Sequence, residues 1–338
     1  GKILMQINKR LHRMTRKTEF YIFLVLIAAC ILIQIMSGGQ LFEPNSIVDI
    51  ARSMIVIGMF ALINLAVVIS GGFDLSFPTL ASLSYCTATN ICLAFGWCQE
   101  NAWMGFILSG IFGLLLGMVN GIIISRFKLN TMLVTLGTQT LFLSISIGLL
   151  EQPEITSTLP LGLRYFGESY LFEVFGSSGM RSVFPTAFLL FLGLAIIVWF
   201  VLNHTMFGRS LYAIGGNEIS AERAGINVKK VKFWLYAFVG CAAGITGMTR
   251  VCLARQAIPK ALVGWEMTVI PAVILGGASI YGGEGSVFGT LTAVGLITMI
   301  SNSLLLIGID SYWQEFFNGI VILIGVTVSA LQARRRRI

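Results

Sequence analysis

The sequence predicts an all-α, polytopic membrane protein with about ten transmembrane helices. Of its 338 residues, 56% are hydrophobic and only 11% are charged, whereas soluble domains carry about 25% charged residues. Apolar segments repeatedly reach the roughly 20 residues that are needed to cross a bilayer. The two longest polar stretches, 150–183 and 204–231, are each too short to form a soluble domain.

The apolar segments predict an even number of spans, which places both ends of the chain on one side of the membrane. Most of the 23 lysines and arginines share that side, and loops rich in basic residues are cytoplasmic. The net charge of +8 therefore indicates topology and contact with anionic lipid rather than nucleic-acid binding. We expect a basic cytoplasmic segment (1–19), a transmembrane domain (20–331) and a basic cytoplasmic tail (332–338). The predicted spans are 20–37, 46–70, 77–95, 103–125, 131–149, 184–203, 232–252, 264–278, 285–307 and 312–331.

The most polar loop, 204–231, joins the sixth and seventh spans and is predicted to be cytoplasmic. Asn217 is expected to cap a short helix over Glu218–Ala224, which Gly225 would end. A helix of two turns is not stable alone in water, so the loop is either a solvated connector or a coupling helix that docks on a cytoplasmic motor protein. The residues predicted to carry the coupling are Asn217, Glu218, Ser220, Glu222, Arg223, Gly225 and Asn227.

Two glycine-rich interruptions break the apolar pattern, one in each half of the chain. Residues 68–78 contain Gly71-Gly72, and residues 273–286 contain two further Gly-Gly pairs. Broken backbone at membrane depth requires protein or a water-filled cavity around it, and paired interruptions are typical of a transport pathway. Asp74 and Ser76 either cap the helix that follows, with Pro78 in its first turn, or line that pathway. The same two interpretations apply to Glu284.

Two of the asparagines within predicted spans are candidate functional residues. Asn120 is near the end of the fourth span, and Asn302 is in the ninth. Lipid cannot satisfy a side-chain amide, so each should face protein or water. Either they form hydrogen bonds between helices, or they line a pathway and bind hydroxyl groups.

The chain lacks the side-chain combinations that enzymes and metal sites require. Its two histidines, His12 and His204, lie outside the spans or at an edge, and there is no HExxH or Cys/His pattern. The second glycine-rich segment is not followed by GK[ST], so it is not a phosphate-binding loop. We expect a non-enzyme that binds no cofactor or metal itself. The six cysteines form no CxxC and are interpreted mostly as small core residues, with Cys98 alone expected to be exposed.

Seven segments in order resemble the membrane permease subunits of ribose-type carbohydrate ABC importers, over about 46–331. They are Ser70-Gly-Gly-Phe-Asp-Leu-Ser76, Gly117-x-x-Asn120-Gly121, Val134-Thr-Leu-Gly137, Thr205-x-Phe-Gly-Arg209 with Ala213-Ile-Gly-Gly-Asn217, Ala224-Gly-Ile-Asn-Val228, Gly264-Trp-Glu266 and Gly276-Gly-Ala-Ser-Ile-Tyr-Gly-Gly-Glu-Gly-Ser286.

The resemblance implies an ABC importer permease fold in a bacterial inner membrane. It also implies three partners: a cytoplasmic subunit that binds ATP and Mg, a second permease that is identical or related, and a periplasmic or lipid-anchored solute-binding protein. The solute would be a sugar or a sugar-like furanose or furanone, passing Asp74, Ser76, Asn120 and Asn302. The coupling helix would lie within Asn217–Asn227. The alternative is an ion-coupled secondary transporter or facilitator, in which Asp74 or Glu284 would serve as the intramembrane carboxylate.

Overall fold

The computed structural model describes residues 18–149, 155–156, 158–176 and 181–306, with scattered positions between 308 and 327. The predicted tail, most of the segment 1–19 and most of the predicted span 312–331 lie outside these residues. The described part is mostly helical. Its helices are α1 (Thr18–Met36), α2 (Pro44–Ile69), α3 (Phe77–Ala94), α4 (Trp103–Phe127), α5 (Thr131–Leu149), α6 (Leu161–Glu168), α7 (Phe188–His204), α8 (Met206–Gly216), α9 (Glu218–Arg223), α10 (Val228–Ala254), α11 (Glu266–Leu275) and α12 (Val287–Leu306).

Within the residues that the structure describes, fewer helices than the predicted ten are long and apolar enough to cross a membrane. In the described part of the chain these are α2, α4, α5, α10 and α12, and α7 with α8 makes a sixth if that pair, bent by 71°, is one span. The prediction at 264–278 is wrong in length, because α11 has only ten residues and is followed by turns and bends. Hydropathy alone does not distinguish such a half-helix from a full span.

The core forms around α2, whose most apolar stretch is 78% buried. It packs against α7, α10, α11 and α12. By contrast, the corresponding stretch of α5 is only 22% buried. A central helix and a peripheral helix are thus distinguished by burial although both are apolar, since the periphery of a membrane protein faces lipid or another subunit.

A seam of glycines joins α4 and α10. Gly113 and Gly117 on α4 face Gly240 on α10, so closely that a Cβ on Gly113 would overlap the carbonyl oxygen of Gly240. Ser109 adds a hydrogen bond from its hydroxyl to the Gly244 carbonyl at 2.7 Å. Small residues allow helix backbones to approach in this way, which maximises van der Waals contact where water provides no driving force. We expect α4 and α10 to move as one body.

A small layer of short elements covers one end of the bundle. It contains α6, the strands β1 (Tyr170–Phe175) and β2 (Arg181–Pro185) as an antiparallel pair, and a bridge between Ile155 and Ala257. Cys98 lies beneath α6, where its carbonyl accepts a hydrogen bond from the Gly162 nitrogen at 2.8 Å. Only 7% of Cys98 is exposed, so the prediction that this residue is exposed is wrong.

Candidate coupling site

The loop 204–231 folds into two short helices whose ends are capped by side chains. Thr205 accepts a hydrogen bond from the Gly208 nitrogen at 3.1 Å and begins α8. Asn217 accepts from the Ser220 nitrogen at 2.8 Å and begins α9, which confirms the predicted cap. Gly225 ends α9 with a φ of 87°, in the left-handed region that glycine favours. Asn227 then caps α10 by accepting from the Lys230 nitrogen at 3.0 Å.

Two ion pairs attach α9 to the membrane helices. Glu218 pairs with Lys232 of α10 at 2.7 Å, and Glu222 pairs with Lys128 at the end of α4 at 3.2 Å. Ala221 of α9 is buried, whereas Ile219, two positions earlier, is 64% exposed. The two acidic side chains thus contact the membrane helices, while an apolar side chain of the same helix stays exposed. A six-residue helix held in this way can pass a displacement to α4 and α10.

Behind α8, three glycine segments that are distant in the sequence come together. We call Gly71, Gly215, Gly282 and Gly283 the glycine junction. A Cβ on Gly215 would overlap the carbonyl oxygen of Ile69, and a Cβ on Gly282 would lie 2.7 Å from the Gly71 Cα.

One hydrogen bond links the two interruptions directly at this junction. It runs from the Gly283 nitrogen to the Ile69 oxygen, at 2.8 Å. Tyr212 of α8 adds a second tie by donating to the Gly285 carbonyl at 2.9 Å. Both interruptions, which the sequence predicts only separately, therefore contact the loop that carries α9.

A cavity of about 240 Å³ lies between the glycine junction and α9. Gly71, Gly215 and Tyr236 line it on one side, and the ion pair of Glu218 and Lys232 lines the other. The charged pair therefore borders the space into which the glycine segments could move.

Three of the four predicted pathway residues form one buried cluster just beyond the first interruption. The Ser76 nitrogen and hydroxyl donate to Asp74 Oδ1 at 2.8 and 2.7 Å. The amide of Asn120 donates to the Ser76 hydroxyl at 2.8 Å. All three residues are at most 1% exposed. In the described part of the chain, the Asp74 Oδ2 and Asn120 Oδ1 atoms have no hydrogen-bond partner.

The expected cap of α3 is only partly correct. Pro78 lies in the first turn, and Ser76 occupies the N-cap position but makes no side-chain cap hydrogen bond. The Ser76 hydroxyl donates to Asp74 instead, so Asp74 fixes the turn before the helix. In the second interruption the Ser286 hydroxyl, rather than Glu284, accepts from a helix nitrogen, that of Gly289 at 3.0 Å. Glu284 is exposed.

The fourth predicted pathway residue, Asn302, lies apart from this cluster. Its amide donates to the Thr298 carbonyl at 2.8 Å, and its oxygen accepts from the Ser53 hydroxyl of α2 at 3.4 Å. Asn302 therefore links α12 with α2.

Two features of the site, each a contact between distant segments, were not predicted from the sequence. Thr131 and Thr135 of α5 accept hydrogen bonds from the Phe73 and Leu75 nitrogens, both at 3.1 Å, and so hold the first interruption. Their spacing of four residues, which places them on one helix face, was the available signal. The second feature is Glu266, which is only 6% exposed and accepts from the Gln139 amide at 2.7 Å. No local pattern marks such a pair, because its members are far apart in the sequence.

Comparison with known proteins gives a consistent set of relatives. A family model described as "Branched-chain amino acid transport system / permease component" matches residues 46–326. A ribose import permease protein of Bacillus subtilis (strain 168) is 32% identical over 319 residues, which cover 94% of this chain and 95% of the relative. A fructose import permease protein of Rhizobium meliloti is 26% identical, covering 90% of this chain and 83% of its own length. An L-arabinose ABC transporter permease protein of Azospirillum brasilense is 26% identical, covering 94% and 88%. No solved structure matches the chain.

Proposed function

We infer that this chain, which belongs to the family of branched-chain amino acid transport system permease components, is the translocation subunit of an ATP-driven importer. It is a multi-pass membrane protein and, as a permease component, not an enzyme. The proposed solute is small and polar, a sugar or a sugar-like furanose or furanone. The names of the curated relatives favour a sugar over an amino acid.

The contact of α8 with both interruptions at the glycine junction is the observation that carries the proposal. A cytoplasmic ATP-binding subunit, carrying ATP and Mg, would dock on α9 and displace it when it closes. Because Gly215 lies against Ile69, and Gly283 is bonded to Ile69, that displacement reaches both broken spans at once. Coupling requires two sites and an element between them that both sites bias. The glycine junction supplies that element.

The proposed pathway passes the cluster of Asp74, Ser76 and Asn120. The unpartnered Asp74 Oδ2 and Asn120 Oδ1 atoms are acceptors that suit the hydroxyl groups of a carbohydrate. They are buried, so a solute reaches them only when the first interruption moves. Asn302, near the C-terminal end of α12, is proposed as a fourth polar position on the pathway. Such weak contacts suffice if a solute-binding protein supplies the selectivity.

The second permease is proposed to pack on α5. This helix is the least buried of the long apolar helices in the described part of the chain, and one face of it presents Gly137, Thr140, Ser144 and Gly148. A Cβ on Gly137 or Gly148 would meet nothing within 4 Å. Small residues of this kind allow close approach of a helix from another subunit. Whether that subunit is a second copy or a relative, the pairing would place two coupling helices on the cytoplasmic face.

The proposal is tested by capture of the ATP-binding subunit from the native membrane. We expect Ile219→Asp to abolish capture and the associated ATPase activity, because a charge replaces the apolar side chain at the docking face. The matched control is Phe175→Asp, which changes an apolar residue that is 61% exposed on the opposite end of the molecule and should leave capture unchanged. Capture by Ile219→Asp at the wild-type level would contradict docking on α9.

A charge exchange separates coupling from docking. Glu222→Lys places two cations against each other and should reduce solute uptake per ATP hydrolysed. The double variant with Lys128→Glu restores an ion pair of opposite polarity and should recover most of that ratio. An exposed pair contributes only about 0.2–1 kcal/mol to stability, so both variants should be produced normally. No recovery in the double variant would show that Glu222 acts without Lys128.

The alternative function is ion-coupled or facilitated transport by the chain alone. Glu266 favours it, since a buried intramembrane carboxylate suits an ion pathway. Solute uptake into proteoliposomes that contain this chain without nucleotide or partner would support the alternative. Uptake only with the ATP-binding subunit and ATP would support the importer.

A further inference from the structure

The chain leaves α3 through a turn that reverses its direction and returns Cys98 to the last turn of the helix. Gly96 has a φ of 66°. The Trp97 nitrogen donates to the Cys92 carbonyl at 2.8 Å, and the Gly96 nitrogen donates to the Leu93 carbonyl at 3.3 Å. These two bonds around a left-handed glycine form a Schellman motif. The turn therefore sets Cys98 opposite Cys92 through backbone geometry alone.

The two sulfur atoms lie 2.7 Å apart. Non-bonded carbon atoms already rest at about 3.5–4.0 Å, and sulfur is larger, whereas a disulfide bond measures about 2.0 Å. Both side chains are buried, Cys92 completely and Cys98 to within 7%. Cys98 also has a φ of 63°, which a residue other than glycine retains only where its surroundings hold it.

This pair lies at the end of the bundle opposite to α9. The 27 residues of α10 begin at the coupling loop and span about 40 Å. At the far end of α10, Cys252 packs against Gly167 of α6, and α6 also bonds to the Cys98 carbonyl through Gly162. If α9 is cytoplasmic, as the proposed function requires, Cys98 lies at the outer face, where disulfides form and persist.

We propose that Cys92 and Cys98 form a disulfide at the outer face, an inference that rests on the proposed function for its orientation. The oxidant is the disulfide of a thiol–disulfide oxidoreductase in the outer compartment. One cysteine thiolate attacks that disulfide to give a mixed disulfide, and the second thiolate displaces the oxidoreductase thiolate. Two electrons and two protons pass to the oxidoreductase, which leaves as a dithiol. The new bond fixes the turn whose Cys98 carbonyl supports α6.

The test uses the full chain in its native membrane, denatured in the presence of a maleimide before any reduction. We expect Cys92 and Cys98 to remain unlabelled and their peptides to stay joined, and both to react once a reductant is added. Cys241, which lies on α10, is the internal control and should react without reduction. In a Cys98→Ser variant, Cys92 should become reactive without reduction. If the variant is not produced, the wild-type comparison before and after reduction still decides the question.

Two labelling measurements distinguish a failure of the proposed disulfide from a failure of the proposed orientation. Maleimide reaction of both Cys92 and Cys98 before reduction overturns the disulfide, as does a peptide in which Cys98 is joined to Cys252. In parallel, an Ile219→Cys variant is exposed to a maleimide that does not cross membranes. Its labelling from outside the cell overturns the orientation on which the proposed function depends, while the thiol state of Cys92 and Cys98 decides the disulfide in either case.

Discussion

Replacing Gly215 by alanine should uncouple the protein without unfolding it. The added Cβ would overlap the carbonyl oxygen of Ile69 and lie 2.5 Å from the Gly283 nitrogen. These two atoms are the partners of the hydrogen bond that joins the interruptions, at 2.8 Å. Both obstacles are backbone, so no side chain can rotate away, and α8 must move back from the glycine junction.

The energy of this change follows from two contributions. A hydrogen bond broken so that its buried N–H is left unsatisfied costs about 1–3 kcal/mol, and overpacking of a closely packed contact costs about 1–3 kcal/mol. Together they favour the separated junction by about 2–6 kcal/mol. Even the lower figure of about 2 kcal/mol corresponds to a shift of roughly thirtyfold in an equilibrium constant.

The assay is solute uptake per ATP hydrolysed in proteoliposomes that contain the permease, its ATP-binding subunit and the binding protein. Gly215→Ala should lower this ratio strongly while α9 still captures the ATP-binding subunit. The matched control is Gly216→Ala in the same helix, where a Cβ would meet nothing within 4 Å. It should behave as wild type or gain up to about 1 kcal/mol in helix stability. Equal transport by the two variants would refute the argument that the junction carries the coupling.

Further substitutions test the remaining contacts. Gly117→Ala places a Cβ against the Tyr236 carbonyl and 2.9 Å from the Gly240 Cα, so it should destabilise the protein by about 1–3 kcal/mol, measured by thermal unfolding in detergent. The control is Gly193→Ala, whose Cβ would meet nothing within 4 Å and which should not change stability. Equal unfolding temperatures of the two variants would contradict a close seam between α4 and α10. Asn120→Ala removes the donor to Ser76 and should lower the rate of solute uptake without weakening capture of the ATP-binding subunit. Unchanged uptake by that variant would exclude Asn120 from the pathway.

Features that depend on local chemistry were predictable from the sequence. The cap at Asn217 and the end of α9 at Gly225 involve atoms only a few residues apart, so the residue types themselves specify them. The glycine interruptions were predictable as breaks for the same reason. The contact between the two interruptions was not predictable, because the packing of whole helices brings Gly71, Gly215 and Gly282 together.

The span predicted at 264–278 was too long for a physical reason. Hydropathy measures whether a segment tolerates lipid, and α11 with the turns after it passes that test without forming a helix of full length. The environment of a single side chain is equally invisible in a linear pattern. Cys98 was expected to be exposed because it lies in a loop, but the Schellman turn and α6 bury it. The contact between Glu266 and Gln139 gave no signal because the two residues lie on different helices.

Glycine serves two opposite mechanical purposes in this molecule. In the seam of α4 and α10 it allows two long helices to contact along their backbones, which makes a rigid pair. At the glycine junction it allows three non-helical or helix-terminal segments to touch through only a few atoms, which leaves them free to separate. The proposed coupling helix α9 is attached to both: its ion pairs reach Lys128 at the end of α4 and Lys232 on α10, and the preceding helix α8 reaches the junction. A push on α9 would therefore carry the rigid pair along while it changes the glycine junction that links both interruptions. This division explains how a six-residue helix could control the proposed pathway without lining it.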